Sequence, residues 1–156
     1  MTTPTSAEIA VMNDLLDRAL AEKGSGGRAG IAAAVMRGDT LIARGLNEVH
    51  LDHDPTRHAE IVALSGAARA ARDPDLSGCT LLSTLQPCEM CLAAMRFAGI
   101  RRVVYAAQKP GVKIDKYFAF PGLDLADFHA ADAEGFTAIG GLCEHRIIHV
   151  YAAGDD

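Results

Sequence analysis

Apolar residues recur with helical spacing at the start of the chain, at Ile9, Met12, Leu15, Leu16, Ala19 and Leu20. That period predicts an amphipathic helix over residues 5–23. Thr5 and Glu8 form a capping-box pair at its start, and Gly24, Gly26 and Gly27 are expected to stop it. Two short apolar runs, 30–36 and 40–46, flank Arg37-Gly38-Asp39 and predict a hairpin. A polar loop from Asn47 to Asp54 leads into Pro55. The alanine-rich stretch 57–72, with Ile61, Leu64 and Ala68 on one side, predicts a second helix ended by Asp73-Pro74. Cys79 to Thr84 reads as a buried strand. A third helix runs from Pro87 to about Ala98, since proline in a first helical turn removes only an N–H that would be orphaned there. Val103 to Ala107 predicts another strand. From Lys109 to Phe136 the pattern weakens around an apolar-aromatic patch at residues 117–120 and a short helix near 123–130. Alternation over 145–152 predicts a final strand. Helix, hairpin and repeated helix–strand units together predict one three-layer α/β domain with a mixed sheet, spanning residues 1–156.

Composition narrows the class. The 156 residues are 49% hydrophobic and 22% charged, an ordinary globular balance that excludes a disordered or collagen-like chain. Net charge is −5, so the chain as a whole lacks the basic footprint of a nucleic-acid binder. Five Phe, three Tyr and no Trp leave few platforms for stacking single strands. No stretch approaches a membrane span, and the start lacks the basic flank and apolar run of a secretory signal, so the expected location is cytoplasmic. In that setting four cysteines point to reduced thiols or metal ligands rather than disulfides.

Two segments carry chemistry. One is Arg57-His58-Ala59-Glu60, opening the second helix. The other is Gln86-Pro87-Cys88-Glu89-Met90-Cys91, opening the third. Cys88 and Cys91 are three apart, so on a helix both sulfurs share one face. A helix amino terminus lowers thiol pKa, which makes such cysteines natural zinc ligands. His58 supplies a third ligand if the two helix starts are brought together. Three protein ligands leave tetrahedral zinc an open position, the mark of a catalytic site, and water there becomes acidic enough to react near neutral pH. Glu60, off the ligand direction, is placed to move protons without binding the metal. One carboxyl beside such a centre suits hydrolytic loss of an amine.

His58-Ala59-Glu60 with Pro87-Cys88-Glu89-Met90-Cys91 resembles the signature of the zinc-dependent cytidine/deoxycytidylate deaminase superfamily. The likeness covers most of residues 5–107. It is closest to the branch of tRNA adenosine deaminases, fungal-type cytosine deaminases and bacterial guanine deaminases. Asn47 lies 11 positions before His58, and Cys88 lies 30 after it. The resemblance implies a cytidine-deaminase-like fold with a mixed five-stranded sheet flanked by helices, one zinc per chain and a homodimer. It further implies Glu60 as the proton carrier and Asn47, with Ala59 beside it, at the substrate. A histidine as first ligand departs from the small tetrameric cytidine deaminases. The absence of Ser-Trp-Ser before Pro87 departs from polynucleotide cytidine deaminases. With no basic Gly-Arg stretch after the cysteines, the chain also departs from riboflavin-pathway deaminases.

Beyond Ala107 the likeness fades, and substrate choice is expected to reside there. Phe118 and Phe120 fit either a lid stacked on a flat substrate or core packing. Asp115 fits either a solvated position or one reading a ring N–H; Lys113 and Lys116 read as solvated. His50 and His53 read as solvated loop residues, Glu89 as a first-turn acid, and Cys79 and Cys143 as small packing residues. From Tyr117 to Asp156 seven acids face one base, Arg146. RNA binding needs cationic phosphate contacts, so the expected partner is a small nucleobase or analogue of cytosine, isocytosine, guanine or triazine type. A tRNA adenosine deaminase is the alternative, and a non-catalytic zinc-binding interaction domain a further one.

Overall fold

The computed structural model describes residues 2–23 and 30–154. Gly24, Gly26, Gly27 and the acidic pair Asp155-Asp156 therefore lie outside the described residues. Five strands form one sheet in the order β2-β1-β3-β4-β5. They are β1 (Ala32–Arg37), β2 (Thr40–Leu46), β3 (Cys79–Leu85), β4 (Arg102–Ala107) and β5 (Thr137–Ile139). β1 pairs antiparallel with β2 and β3, whereas β4 runs parallel to β3 and β5. The sheet is mixed, as expected.

Helices α1 (Ser6–Glu22), α3 (Ala59–Ala71), α4 (Glu89–Phe97) and α7 (Ile148–Ala153) cover the sheet, and the short α2 (Val49–Asp52), α5 (Ile114–Tyr117) and α6 (Leu125–Ala131) lie in the connections. Successive residues of a strand point to opposite faces, and two residues of β3 identify the layers. Ser83 donates a hydrogen bond to Glu60 of α3, while Thr84 bonds Tyr151 of α7. Arg102 of β4, which points to the same face as Thr84, grips Glu8 of α1. So α1 and α7 lie on one face, α3 and α4 on the other. Covered on both sides, β3 is buried throughout, which is why its sequence reads as an almost unbroken apolar run.

The capping box at Thr5 and Glu8 is made in full, and α1 buries Met12, Leu15, Leu16 and Ala19. α3 turns Ala63, Leu64 and Ala67 inward, and Ile61 and Ala68 are only partly buried. Arg72 in the left-handed region ends it just before Asp73.

One expected element is corrected. Residues 145–152 do not form a strand. A 3-10 turn, Glu144–Arg146, leads into α7, and the fifth strand is Thr137–Ile139. Ile147, Val150 and Tyr151 are completely buried at three- and four-residue spacing. In so short an apolar run, alternation and helical spacing coincide, and burial under the sheet selected the helix.

Candidate active site

α3 and α4 point their amino termini at one spot, and each begins with a residue that forgoes its usual duty. His58 is the N-cap of α3 and Cys88 the N-cap of α4, both in extended conformation, and neither side chain caps its helix. Both are thereby left facing inward with Cys91, in the first turn of α4 and completely buried. Cys88 Sγ lies 3.5 Å from His58 Nδ1 and 3.7 Å from Cys91 Sγ; Cys91 Sγ lies 3.7 Å from His58 Nδ1. Zinc–sulfur bonds of about 2.3 Å and a zinc–nitrogen bond of about 2.0 Å at tetrahedral angles call for separations of roughly 3.8 Å and 3.5 Å. The donor triangle has the size and chemistry of a zinc site. Among the described residues it is the only cluster of three such groups close enough to share an ion.

The electrostatics agree. Its hydrogen bond with Cys91, with His58 alongside, pulls Cys88 down to about 5 against the effect of burial. Cys91 is pushed up, by its bond to Cys88 and then by burial. His58 is raised, chiefly by its hydrogen bond with Cys88. Two sulfurs crowded in this way are poised for a cation.

Glu60 stands beside the triangle with its Oε2 3.6 Å from Cys91 Sγ, and is 4% exposed. Burial first, then the charge of Cys88, holds its carboxyl above the ordinary range. A carboxyl so placed stands within reach of the reaction centre to accept and return a proton.

A cavity of about 200 Å³ opens onto His58 and Cys88 of the triad. Asn47, His50, His58, Glu60, Gln86, Cys88, Lys116 and Tyr117 supply its polar lining. The Asn47 Oδ1 accepts from Val49 N–H at 2.9 Å, which orients the amide. Arg57 holds this loop to the start of α3 through Glu48 at 3.2 Å and Asp52 at 3.6 Å. His53 closes α2 in the left-handed region.

The structure thus brings together His58, Cys88, Cys91, Glu60 and Asn47. Ala59 is buried next to them without lining the cavity. Asp115, Phe118 and Phe120 do not line it either. Phe118 is buried under the Lys109 ammonium, 4.9 Å from the ring centroid, and Phe120 is 62% exposed. Their neighbours Lys116 and Tyr117 form the wall instead, and the Lys116 ammonium donates to the Gly154 carbonyl at the end of α7.

Two roles escaped the sequence. Glu89 accepts from the N–H groups of Ala119 and Phe120, at 2.7 and 2.8 Å, and so fastens that loop to the metal-binding helix. Ser83, a hydroxyl inside an apolar strand, binds Glu60; a buried polar group in such a run needs a partner, and that was the available signal.

Known proteins share this fold and the region that carries the triad. The model of the cytidine and deoxycytidylate deaminase zinc-binding region fits residues 6–107. A tRNA-specific adenosine deaminase of Buchnera aphidicola is 40% identical over 82 residues, 53% of this chain and 51% of that protein. The guanine deaminase of Bacillus subtilis is 36% identical over 97 residues, 60% of this chain and 62% of that enzyme. The chain therefore spans between half and two thirds of the length of these curated relatives. A crystal structure of a variant of NE0047 in complex with 8-azaguanine superposes with a TM-score of 0.79 at 30% identity, covering 93% of this chain and 84% of that one. A structure from work on tRNA:A34 deaminases superposes at 0.74, also at 30% identity, over 90% and 99%. With its donor triangle on the two helix starts and its fold shared across these proteins, the chain belongs to the cytidine and deoxycytidylate deaminase zinc-binding family.

Proposed function

We propose that the chain hydrolytically removes an exocyclic amine from a free nucleobase or related amino-heterocycle and releases ammonia. The observation that carries this reading is a buried Glu60 at the wall of a small cavity that it shares with His58 and Cys88 of the zinc-binding triad. Zinc held there by His58, Cys88 and Cys91 supplies Lewis-acid activation of a water molecule. Glu60 would take up one proton of the water and deliver it to a ring nitrogen, then take the remaining proton of the added hydroxyl and hand it to the amine as the carbonyl forms and the C–N bond breaks. Asn47, whose amide both donates and accepts, holds an amino-oxo ring against that carboxyl.

A cavity of about 200 Å³ is below the ~300–1,000 Å³ of pockets that take drug-sized ligands. A single flat heterocycle suits it. Relatives with guanine deaminase activity in their names, and the 8-azaguanine complex, support a base of the guanine type. The second reading, adenosine in tRNA, draws on the comparable likeness to tRNA-specific adenosine deaminases. Against it stand the seven acids and single base from Tyr117 onward. A purely structural zinc domain would have no use for a desolvated carboxyl beside the ligands.

A homodimer is part of the same proposal. Phe97 projects from α4 with 94% of its surface exposed. Beside it runs a largely apolar groove of about 560 Å³ lined by Leu92, Ala93, Phe128, Ala131 and Phe136 together with the Arg96–Asp132 ion pair. A contiguous apolar patch of that kind marks an interaction surface.

The experiment is an ammonia-release screen over free bases, nucleosides and a tRNA anticodon stem-loop. Release from a free base supports the reading, release from the stem-loop alone replaces it with the tRNA reading, and release from none removes both.

A further inference from the structure

Glu60 has two carboxylate oxygens, and the structure treats them differently. Oε2 faces the zinc-binding sulfurs, 3.6 Å from Cys91 Sγ. Oε1 accepts the hydroxyl of Ser83 at 2.9 Å. Ser83 is completely buried, so water does not compete for that bond. Its hydrogen is also directed: Ser83 Oγ accepts the backbone N–H of Leu85 at 3.3 Å, which occupies a lone pair and turns the single O–H towards Glu60. The serine sits in the middle of the sheet, opposite Ala33 on β1 and Tyr105 on β4, where the backbone is held from both sides.

The geometry points to Ser83 as the positioning residue for Glu60: its hydroxyl, anchored in β3, fixes one carboxylate oxygen and thereby aims the other at the reaction centre. The proton carrier is thus oriented from the sheet, while the metal ligands are oriented from the helix starts. Glu60 lies in the first turn of α3, and its side chain has rotatable bonds that the helix alone does not fix. With this bond removed, Oε1 loses its anchor and only the long contact of Oε2 with Cys91 Sγ restrains the carboxylate, and a group misplaced by a fraction of an ångström transfers protons poorly. Ser83 touches neither substrate nor metal and acts only through Glu60.

In its effect on rate the inference rests on the deaminase reading, so the test carries a readout that does not. Wild type, Ser83→Ala and Ser83→Thr are compared for zinc content, kcat, KM and the crystallographic position of the Glu60 carboxylate. Ser83→Ala is expected to keep its zinc and its KM, to lose kcat by about 10–100-fold, and to show the carboxylate displaced or split between positions. Ser83→Thr, which keeps the hydroxyl, is expected to recover the rate. An unmoved carboxylate in Ser83→Ala, an unchanged kcat, a loss of zinc that accounts for the slowing, or a Thr variant as slow as the Ala variant each overturns the proposal. If the wild type releases no ammonia from any substrate, the deaminase reading falls, and the carboxylate position by itself decides the role of Ser83.

Discussion

Gly45 of β2 lies directly beneath Ala59 of α3: a Cβ on Gly45 would stand 2.4 Å from the Ala59 carbonyl oxygen and 2.6 Å from the Ala63 nitrogen. Both are backbone atoms and cannot rotate aside. Glycine here lets α3 settle close to the sheet, which sets the depth of His58 and Glu60. Gly45→Ala is expected to destabilise the fold by about 1–3 kcal/mol and to lower zinc occupancy, because one side of the triangle is pushed outward. Urea unfolding and metal analysis check it; unchanged stability with full zinc would show that the close approach is not needed.

Cys88 occupies a helix N-cap without capping. Serine is among the best residues for that position, and a good cap contributes about 0.5–2 kcal/mol. Cys88→Ser is therefore expected to raise the stability of the metal-free protein while abolishing stoichiometric zinc binding. The pair of effects has opposite signs, so a general folding defect cannot imitate it. Denaturation of chelator-treated wild type and variant, alongside zinc titration, gives both values. A variant that still holds one zinc per chain would remove Cys88 from the ligand set.

Arg102 binds Glu8 through both carboxylate oxygens, at 2.8 and 2.9 Å, with Glu8 4% exposed. Burial raises the Glu8 carboxyl, but Arg102 and the Thr5 N–H outweigh it and hold the group below its ordinary 4.5. A carboxyl depressed in the folded state stabilises fully above its unfolded pKa, and that stability is lost as pH falls through the folded value. Glu8→Gln is expected to cost about 1.5–3 kcal/mol at neutral pH, with the gap to wild type closing below about pH 4.5. Thermal unfolding from pH 7 to pH 3 checks the sign. A gap that persists in acid would assign the loss to shape rather than charge.

The exposed Phe97 and the groove beside it predict a dimer that Phe97→Asp dissociates. Sedimentation should give twice the chain mass for wild type and the chain mass for the variant, with the fold intact. A monomeric wild type would contradict the dimer.

The zinc-binding triad and the proposed proton carrier were legible because their spacing is local: His58 and Glu60 lie at the start of one helix, as do Cys88 and Cys91. Helices α1, α3 and α4 and strands β1 to β4 could likewise be read from periodicity and caps. What could not be read was what long-range packing decides. The segment ending in Val150 and Tyr151 became helical because its three buried residues fit under the sheet, and Tyr151 donates to the Gly30 carbonyl at 2.6 Å, far away in sequence. Tyr117 rather than Phe118 reached the cavity because Lys109 and Glu89 fasten the following loop, with Phe118 buried against Lys109. Neither contact leaves a trace in local pattern.

The most direct test of the account measures zinc content and ammonia release on the same preparations of wild type and Glu60→Gln. Both proteins should hold one zinc per chain, and the variant should lose about 10²–10⁴-fold in turnover with its fold unchanged. Substantial turnover by the variant, or an active wild type without metal, would contradict the assignment of a zinc centre served by one buried carboxyl.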